Sequence, residues 1–181
     1  MTALAIPEVT HLSLKKLGDS RGFFCATFLR QNFPEIDFLQ DCLSLSAAPG
    51  TVRGLHYQEP PFAQAKLVTV LHGAAFDVAV DIRRGSPRFG RWVGVELNVE
   101  KLNQVLIPRG FAHGFCTLVP DTMVHYKVDS YYSPRHDRGI LWDDPALAIP
   151  WPVAASKAIL SDKDRRQPRL AEIDSPFSYG P

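Results

Sequence analysis

The chain has 181 residues, enough for one domain with a sizeable core. Hydrophobic residues make up 45% and charged residues 22%, as in ordinary globular proteins, and the formal net charge is +1. This near-neutral balance argues against nucleic-acid binding and against binding to a membrane surface, because both usually show a basic stripe. We therefore expect a single domain over residues 1–181, with neither nucleic acid nor a membrane as partner.

Apolar residues recur mostly with a period of two along the chain, which favours strands over helices. In chain order, the predicted strands are residues 11–14, 23–28, 38–46, 66–71, 76–82, 92–97, 105–107, 114–118 and 123–128. The alternation over residues 76–82 is typical of a half-buried strand, and the turn residues 84–88 predict a hairpin-like connection to the next strand. Many short strands broken by Gly and Pro indicate a sandwich or a barrel.

Little of the sequence predicts helix. One turn is expected at residues 29–33, where Pro34 stops it, and a short helix at residues 154–160. The tail from Pro134 onward is rich in Pro and Asp. It also carries Leu141, Trp142, Ile149 and Trp151, which need burial. We therefore expect an ordered C-terminal wrap over the barrel.

The cysteines predict a cellular compartment. Cys25, Cys42 and Cys116 are odd in number and widely spaced, which argues against a disulfide framework and favours free thiols in a reducing cytoplasm. The N-terminal segment shows no apolar run of signal-peptide length, and no stretch approaches the roughly 20 apolar residues of a membrane helix. The expected location is cytoplasmic.

Two segments place a histidine beside glycine and basic residues. The first contains Arg53, Gly54, His56 and, slightly further on, Lys66; the second, residues 107–115, contains His113. Histidine changes its charge near neutral pH, and glycine lets backbone and ligand approach closely. The pattern predicts a pocket with basic and titratable groups rather than a surface loop.

These segments resemble those of the dTDP-4-dehydrorhamnose 3,5-epimerase family, whose members carry both in this order. The resemblance rests on Arg-Gly-Leu-His at 53–56, Gln-Ala-Lys-Leu-Val at 64–68 and the run at 107–115, and it covers residues 5–170. It implies an all-β, cupin-type jelly roll with short helices. It also implies a homodimer that epimerises a nucleotide-activated 4-keto-6-deoxy sugar without a cofactor, at carbons 3 and 5 or at carbon 3 only.

The resemblance assigns four catalytic roles. His56 would be the general base, which suits a side chain whose pKa lies near working pH. Asp164, matched through the Lys-Asp pair at 163–164, would orient that base, although Asp162 is a nearby carboxylate that could substitute. Tyr126 would be the general acid on the opposite face of the sugar, and Lys66 would hold the developing oxyanion. Inversion at carbon requires groups on both faces, or one group that reaches both.

The resemblance also implies a set of substrate contacts. Arginine binds phosphate bidentately, which suits diphosphate recognition by two of these residues. The residues are Arg21 and Arg53 for the diphosphate, His113 for the sugar, Gln40 and Tyr132 for the base, and Asp137 and Lys163 for further contacts.

Three positions depart from the family pattern. Ala26 stands where Glu is common, Cys42 where Asn is common, and Asp137 where Glu is common. The first two lie where the family recognises the base. The departures therefore bear on the identity of the base, and to a lesser degree the sugar, more than on the reaction type.

Three other functions fit parts of the sequence. A metal-dependent cupin could use His56, His113 and Glu59, since three ligands suffice, but Arg53 and Lys66 would repel a cation, so no metal is expected. A non-catalytic sugar-nucleotide binder would need lost catalytic groups. An isomerase that moves the ketone between sugar carbons usually differs around the first histidine segment.

Overall fold

The computed structural model describes residues 2–180, and in this part of the chain antiparallel strands form two large sheets. In spatial order, the larger sheet contains β1 (Thr2–Ala3), β2 (Thr10–Ser13), β10 (Asn103–Ile107), β7 (Lys66–His72), β12 (Thr122–Val128) and β5 (Gln40–Ser46). The smaller sheet contains β13 (Asp137–Gly139), β6 (Val52–Gln58), β11 (Phe111–Thr117), β8 (Ala74–Asp81) and β9 (Trp92–Asn98). The expected all-β jelly roll is confirmed, and so is the hairpin-like connection, because β8 and β9 pair antiparallel.

The main core lies between the two sheets. Val68, Val70 and Val124 from the larger sheet pack in one cluster with Ala79 and Phe115 from the smaller sheet. All five are nearly or fully buried. Residues that share their faces along the same strands therefore also point into the space between the sheets, and this places the functional groups described below.

The strand β8 is buried on both faces, so the prediction of a half-buried strand was wrong. Val78, Val80 and Ile82 lie on its outer face, where they pack under the C-terminal tail. Asp77 and Asp81 point the other way and are also buried, at 2% and 0% exposure. Buried carboxylates need partners: Asp77 pairs with a histidine described below, and Asp81 pairs with nearby arginine and serine side chains.

The predicted C-terminal wrap is present, and it covers the outer face of the smaller sheet. Trp142 is 4% exposed, and its backbone oxygen accepts a hydrogen bond from the Trp151 indole N–H at 2.8 Å. The tail contains 3₁₀ turns at Ala155–Lys157 and Leu170–Glu172 and the short helix α1 (Asp162–Arg165). The helix expected at residues 154–160 is therefore only a 3₁₀ turn, and the sequence prediction missed α1.

The N-terminal region differs from the predicted strand at residues 23–28. A separate hairpin of β3 (Leu17–Asp19) and β4 (Gly22–Phe24) ends at Phe24. Beyond it the chain turns so that the Phe28 ring packs against Phe33 and Phe38, with centroid separations of 5.7 and 5.6 Å. This aromatic cluster covers the outer face of the larger sheet, and the single turn expected nearby is the 3₁₀ turn Arg30–Asn32.

Across residues 2–180, none of the helices has both the length and the apolar character needed to cross a membrane.

Candidate functional site

A cleft between the two sheets gathers most of the predicted site residues. Its larger lobe has a volume of about 430 Å³ and its smaller lobe about 250 Å³, and His56, Lys66 and Tyr126 line both. The other predicted residues on the larger lobe are Arg53, His113, Lys163 and Asp164, and those on the smaller lobe are Gln40, Tyr132 and Asp137.

An irregularity in β6 brings Arg53 and His56 to the same wall. Residues three apart in a regular strand face opposite ways. Here His113 of β11 pairs with His56, whereas Phe115, two residues later, pairs with Arg53. This bulge re-aims the basic side chain into the cleft. It depends on Gly54, whose φ is +133° and where an added Cβ would lie 2.5 Å from the Gly114 Cα atom.

His56 and Asp164 form a close pair within the larger lobe. The distance from His56 Nε2 to Asp164 Oδ1 is 2.6 Å, and the Asp164 side chain is 4% exposed against 31% for His56. Burial raises the pKa of Asp164, but hydrogen bonds from His56, Ser161 and the Gly54 backbone outweigh it and hold this pKa below its usual value. Asp164 is therefore ionised, which fixes a proton on Nε2 and leaves Nδ1 as the basic nitrogen.

The helix α1 sets the position of this carboxylate. Ser161 caps the helix, with the Asp164 backbone N–H donating to the Ser161 Oγ atom at 3.1 Å. Asp162, the alternative carboxylate, is 88% exposed and lies 4.0 Å from Arg166 at the surface. The structure therefore brings Asp164, and not Asp162, to His56.

Lys66 and Tyr126 extend from the larger sheet, on the wall opposite His56. Lys66 precedes Val68 on the interior face of β7, and Tyr126 pairs directly with Val68 from β12. Desolvation lowers the pKa of Lys66, although the charges of Asp137 and Asp77 oppose this. Burial and the neighbouring Cys42 raise the pKa of Tyr126, so its phenol keeps its proton at neutral pH.

A second histidine–carboxylate pair lies next to the first. His113 Nε2 is 2.8 Å from Asp77 Oδ2, and both side chains are buried. Since His113 pairs with His56 across β6 and β11, the two imidazoles are neighbours on one wall. Asp77 was not identified from the sequence as part of the site. Its position in the alternating β8 segment was the available signal, but that segment was predicted only as a half-buried strand, with no face assigned to the site.

The smaller lobe holds the remaining predicted contacts. The Tyr132 hydroxyl donates to Asp137 Oδ2 at 2.9 Å, and Lys163 forms an ion pair with the same carboxylate. Gln40 lies beside them, and its Oε1 accepts from the Tyr132 backbone N–H at 3.4 Å. Tyr132 is 58% exposed, so its ring is available to a flat partner at the mouth of the lobe.

Arg21 was predicted in the site, but the structure does not bring it to the cleft of its own chain. It lies in the turn of the β3–β4 hairpin, its side chain is 87% exposed, and it pairs with Asp19 at 2.6 Å. The reason is that this hairpin is a separate two-stranded sheet, and Arg21 lines a shallow depression on it. Ala26 is likewise exposed on the segment that follows.

The metal-binding alternative used His56, His113 and Glu59. Each histidine is paired with an aspartate, and Glu59 Oε2 is 2.9 Å from the Arg138 guanidinium. Across residues 2–180, no three His, Cys, Asp or Glu side chains gather in a way that could hold a metal ion. That activity needs no metal stays a prediction.

Comparison with known proteins identifies the family. The family model described as dTDP-4-dehydrorhamnose 3,5-epimerase matches residues 3–172. A dTDP-4-dehydrorhamnose 3,5-epimerase from Sinorhizobium fredii is 50% identical, covering 98% of this chain and 92% of the relative.

Two solved structures share the fold. The dTDP-6-deoxy-D-glucose-3,5-epimerase from Legionella pneumophila, in complex with dTDP-4-keto-L-rhamnose, superposes with a TM-score of 0.93 at 42% identity, over 99% of this chain and 97% of that one. A 3'-monoepimerase from Streptomyces bikiniensis, in complex with dTDP-quinovose, has a TM-score of 0.87 at 34% identity, over 94% and 88%. The resemblance seen in the sequence is thus confirmed: this chain belongs to the dTDP-4-dehydrorhamnose 3,5-epimerase family.

Proposed function

We propose that this protein is an isomerase that converts dTDP-4-dehydro-6-deoxyglucose to dTDP-4-dehydrorhamnose by inverting carbons 3 and 5, in dTDP-rhamnose biosynthesis. Family membership supports this reaction, and so does the complex of the Legionella relative with dTDP-4-keto-L-rhamnose. The observation that carries the proposal is the placement of His56 and Tyr126. They extend from different sheets into one cleft, as a base and an acid on opposite faces of a sugar ring require.

The first step is removal of a proton from a carbon next to the ketone. His56 accepts this proton on Nδ1, and Asp164, 2.6 Å from Nε2, stabilises the imidazolium that forms. The electrons move to the ketone oxygen, where the Lys66 ammonium stabilises the enolate. In a largely desolvated cleft, one well-placed donor of this kind contributes about 3 to 4 kcal/mol.

The second step returns a proton from the other wall. The Tyr126 phenol protonates the enolate carbon on the face opposite His56, and so the configuration inverts. The raised pKa of this phenol keeps it in the acid form needed for the transfer. Proton exchange with solvent then returns His56 to its neutral form and Tyr126 to the phenol. The same two steps follow at the second carbon next to the ketone.

Charged and aromatic groups around the cleft suit a nucleoside diphosphate. The Arg53 guanidinium is held by hydrogen bonds to Ser46 Oγ at 3.2 Å and to the Leu45 carbonyl at 3.1 Å, and it faces the larger lobe. Lys163 adds a second cation there. Diphosphate binding by these two groups would leave the base to the smaller lobe, beside Gln40 and Tyr132.

We also propose a homodimer. Leu17, Phe23 and Phe24 of the hairpin are 55%, 54% and 68% exposed, and the edge strand β5 exposes Leu43 and Leu45 at 61% and 52%. Exposed apolar groups beside an unpaired strand edge favour association.

The exposed position of Arg21 fits this arrangement, because an arginine that points away from its own cleft can serve the cleft of a second copy. Light scattering should give twice the 20.2 kDa chain mass. An active monomer would refute the dimer.

A cytoplasmic location is part of the same proposal. Cys25, Cys42 and Cys116 are free thiols, which suits a reducing compartment. Cell fractionation that found the protein mainly outside the cytoplasm would contradict this.

The reaction is tested by solvent deuterium exchange. In D₂O with dTDP-4-dehydro-6-deoxyglucose, NMR should show deuterium at carbons 3 and 5 together with the inverted product. The His56→Ala variant should be at least about 100-fold slower at both positions while it keeps its fold. Label at carbon 3 alone would instead identify a 3-epimerase, a candidate favoured by the similarity to the Streptomyces bikiniensis enzyme. Unlabelled substrate with the wild-type protein would refute both.

A further inference from the structure

Cys42 lies inside the cleft, next to the phenol that is proposed to return the proton. The strands β5 and β12 pair antiparallel, and Cys42 stands directly opposite Tyr126 in their register. Side chains so placed share a face, with Cβ atoms about 4.5 to 5.5 Å apart. Both residues line the smaller lobe, so the thiol and the phenol are neighbours on one wall of the cleft.

A second contact fixes the sulfur. The Gln40 side-chain amide donates to Cys42 Sγ at 3.2 Å, while its oxygen accepts from the Tyr132 backbone N–H at 3.4 Å. The amide therefore ties the thiol to the segment that carries Tyr132. Cys42, Gln40 and Tyr132 therefore form one chain of polar contacts that begins beside Tyr126 in the smaller lobe.

The chemistry of a thiol suits this position. Sulfur is a weak hydrogen-bond acceptor and the thiol a weak donor. A carboxylate here would hold the phenolic proton away from the substrate, whereas an ammonium group would favour the phenolate, which has no proton to give. A weak partner orients the hydroxyl at little cost when the proton leaves.

We propose that Cys42 is a positioning residue for reprotonation: its thiol, anchored by Gln40, aims the Tyr126 hydroxyl at the enolate and so sets how often deprotonation ends in inversion. The inference rests on the proposed function, since it concerns the second proton transfer of that reaction. It assigns no contact with the reacting atoms to Cys42 itself.

The test measures how the enolate partitions between return to substrate and conversion to product, in addition to the rate. Each enolate either regains a hydrogen from His56, which gives deuterated substrate once the abstracted proton has exchanged with D₂O, or receives one from Tyr126, which gives product. In Cys42→Ala the ratio of labelled substrate to product should rise about 3- to 10-fold, the effect of one lost hydrogen bond. The total rate of deprotonation, which is the sum of labelled substrate and product formed per unit time, should change less than about twofold. Cys42→Ser keeps a hydrogen-bonding group and should return the ratio to near the wild-type value.

Cys116→Ala is the matched control. This thiol is fully buried on the other side of the smaller sheet, in a cluster with Trp142. Its loss should lower the melting temperature but leave the partition unchanged. An unchanged partition in Cys42→Ala would overturn the proposal, as would an equal fall in both outcomes or a serine variant that behaves like alanine. In each case the epimerisation of the wild-type protein would stand, because it is measured separately.

Discussion

Replacement of Asp164 by asparagine tests whether the proposed base depends on its partner. The amide has nearly the same shape as the carboxylate but has no charge to stabilise an imidazolium at 2.6 Å. A charge-assisted hydrogen bond contributes about 1.5 to 3 kcal/mol, and 1.36 kcal/mol corresponds to tenfold in rate. We therefore expect kcat to fall about 10- to 150-fold in Asp164→Asn.

The local hydrogen bonds can make this loss larger. The Gly54 backbone N–H and Ser161 donate to the Asp164 carboxylate, and they would favour the amide orientation that keeps oxygen toward them. The amide NH₂ would then face His56 Nε2 and move the imidazole proton to Nδ1. A base protonated on its working nitrogen cannot accept a proton from the substrate.

Asp162→Asn is the control, since this carboxylate lies two residues away on the same helix and is 88% exposed. It should retain wild-type kcat. The assay follows inversion and deuterium incorporation into dTDP-4-dehydro-6-deoxyglucose, with the melting temperature as a check of folding. Turnover of a folded Asp164→Asn protein within twofold of wild type, or an equal loss in Asp162→Asn, would refute the assignment of the pair.

Four further outcomes are expected. Tyr126→Phe should retain deuterium wash-in while product formation falls at least about 100-fold; equal loss of both would exclude Tyr126 as the second-face acid. Desolvation lowers the pKa of Lys66 from its ordinary 10.5, so as the pH rises the ammonium should lose its proton, and the enzyme its activity, at a pH below 10.5. Lys66→Arg should move this alkaline limb of the pH–activity profile to higher pH, and a limb that does not move would contradict the oxyanion role. Dialysis against a strong chelator should leave the rate unchanged, and a loss restored by iron, manganese or zinc would revive the metal-dependent alternative. Ala26 and Cys42 stand in place of Glu and Asn, so the binding preference for dTDP over GDP, CDP and UDP, measured by calorimetry, should be less than about 1000-fold, or about 4 kcal/mol. A larger preference would show that these two positions do not loosen base selection.

The period-two pattern located most strands, but it did not show which faces of each strand are buried. Segments such as Thr122–Val128 alternate cleanly, and they were predicted to within a residue. The β6 segment was recognised as a motif but not as a strand, because Arg53, Gly54 and His56 break its apolar pattern. The prediction that β8 is half-buried was wrong because the C-terminal wrap covers its outer face as well.

Site residues that lie in short sequence motifs were predicted. Contacts between residues on strands that are distant in sequence were missed. His56 and Lys66 lie in recognisable local segments, and both line the cleft. The placement of Cys42 opposite Tyr126 depends on the register between β5 and β12, two strands far apart in sequence, which no local pattern encodes. Arg21 was placed by its motif alone, but its location depends on where the hairpin lies in three dimensions.

The position of α1 within the C-terminal wrap affects when the protein becomes active. His56 and the carboxylate that pairs with it are 108 residues apart in the chain. During synthesis the ribosome therefore releases the imidazole long before its partner exists, and the strands between them emerge first. The proposed acid–base machinery is complete only when the segment that carries α1 has been made and has docked. A chain that has not yet reached α1 therefore carries His56 without the carboxylate that is proposed to stabilise its imidazolium.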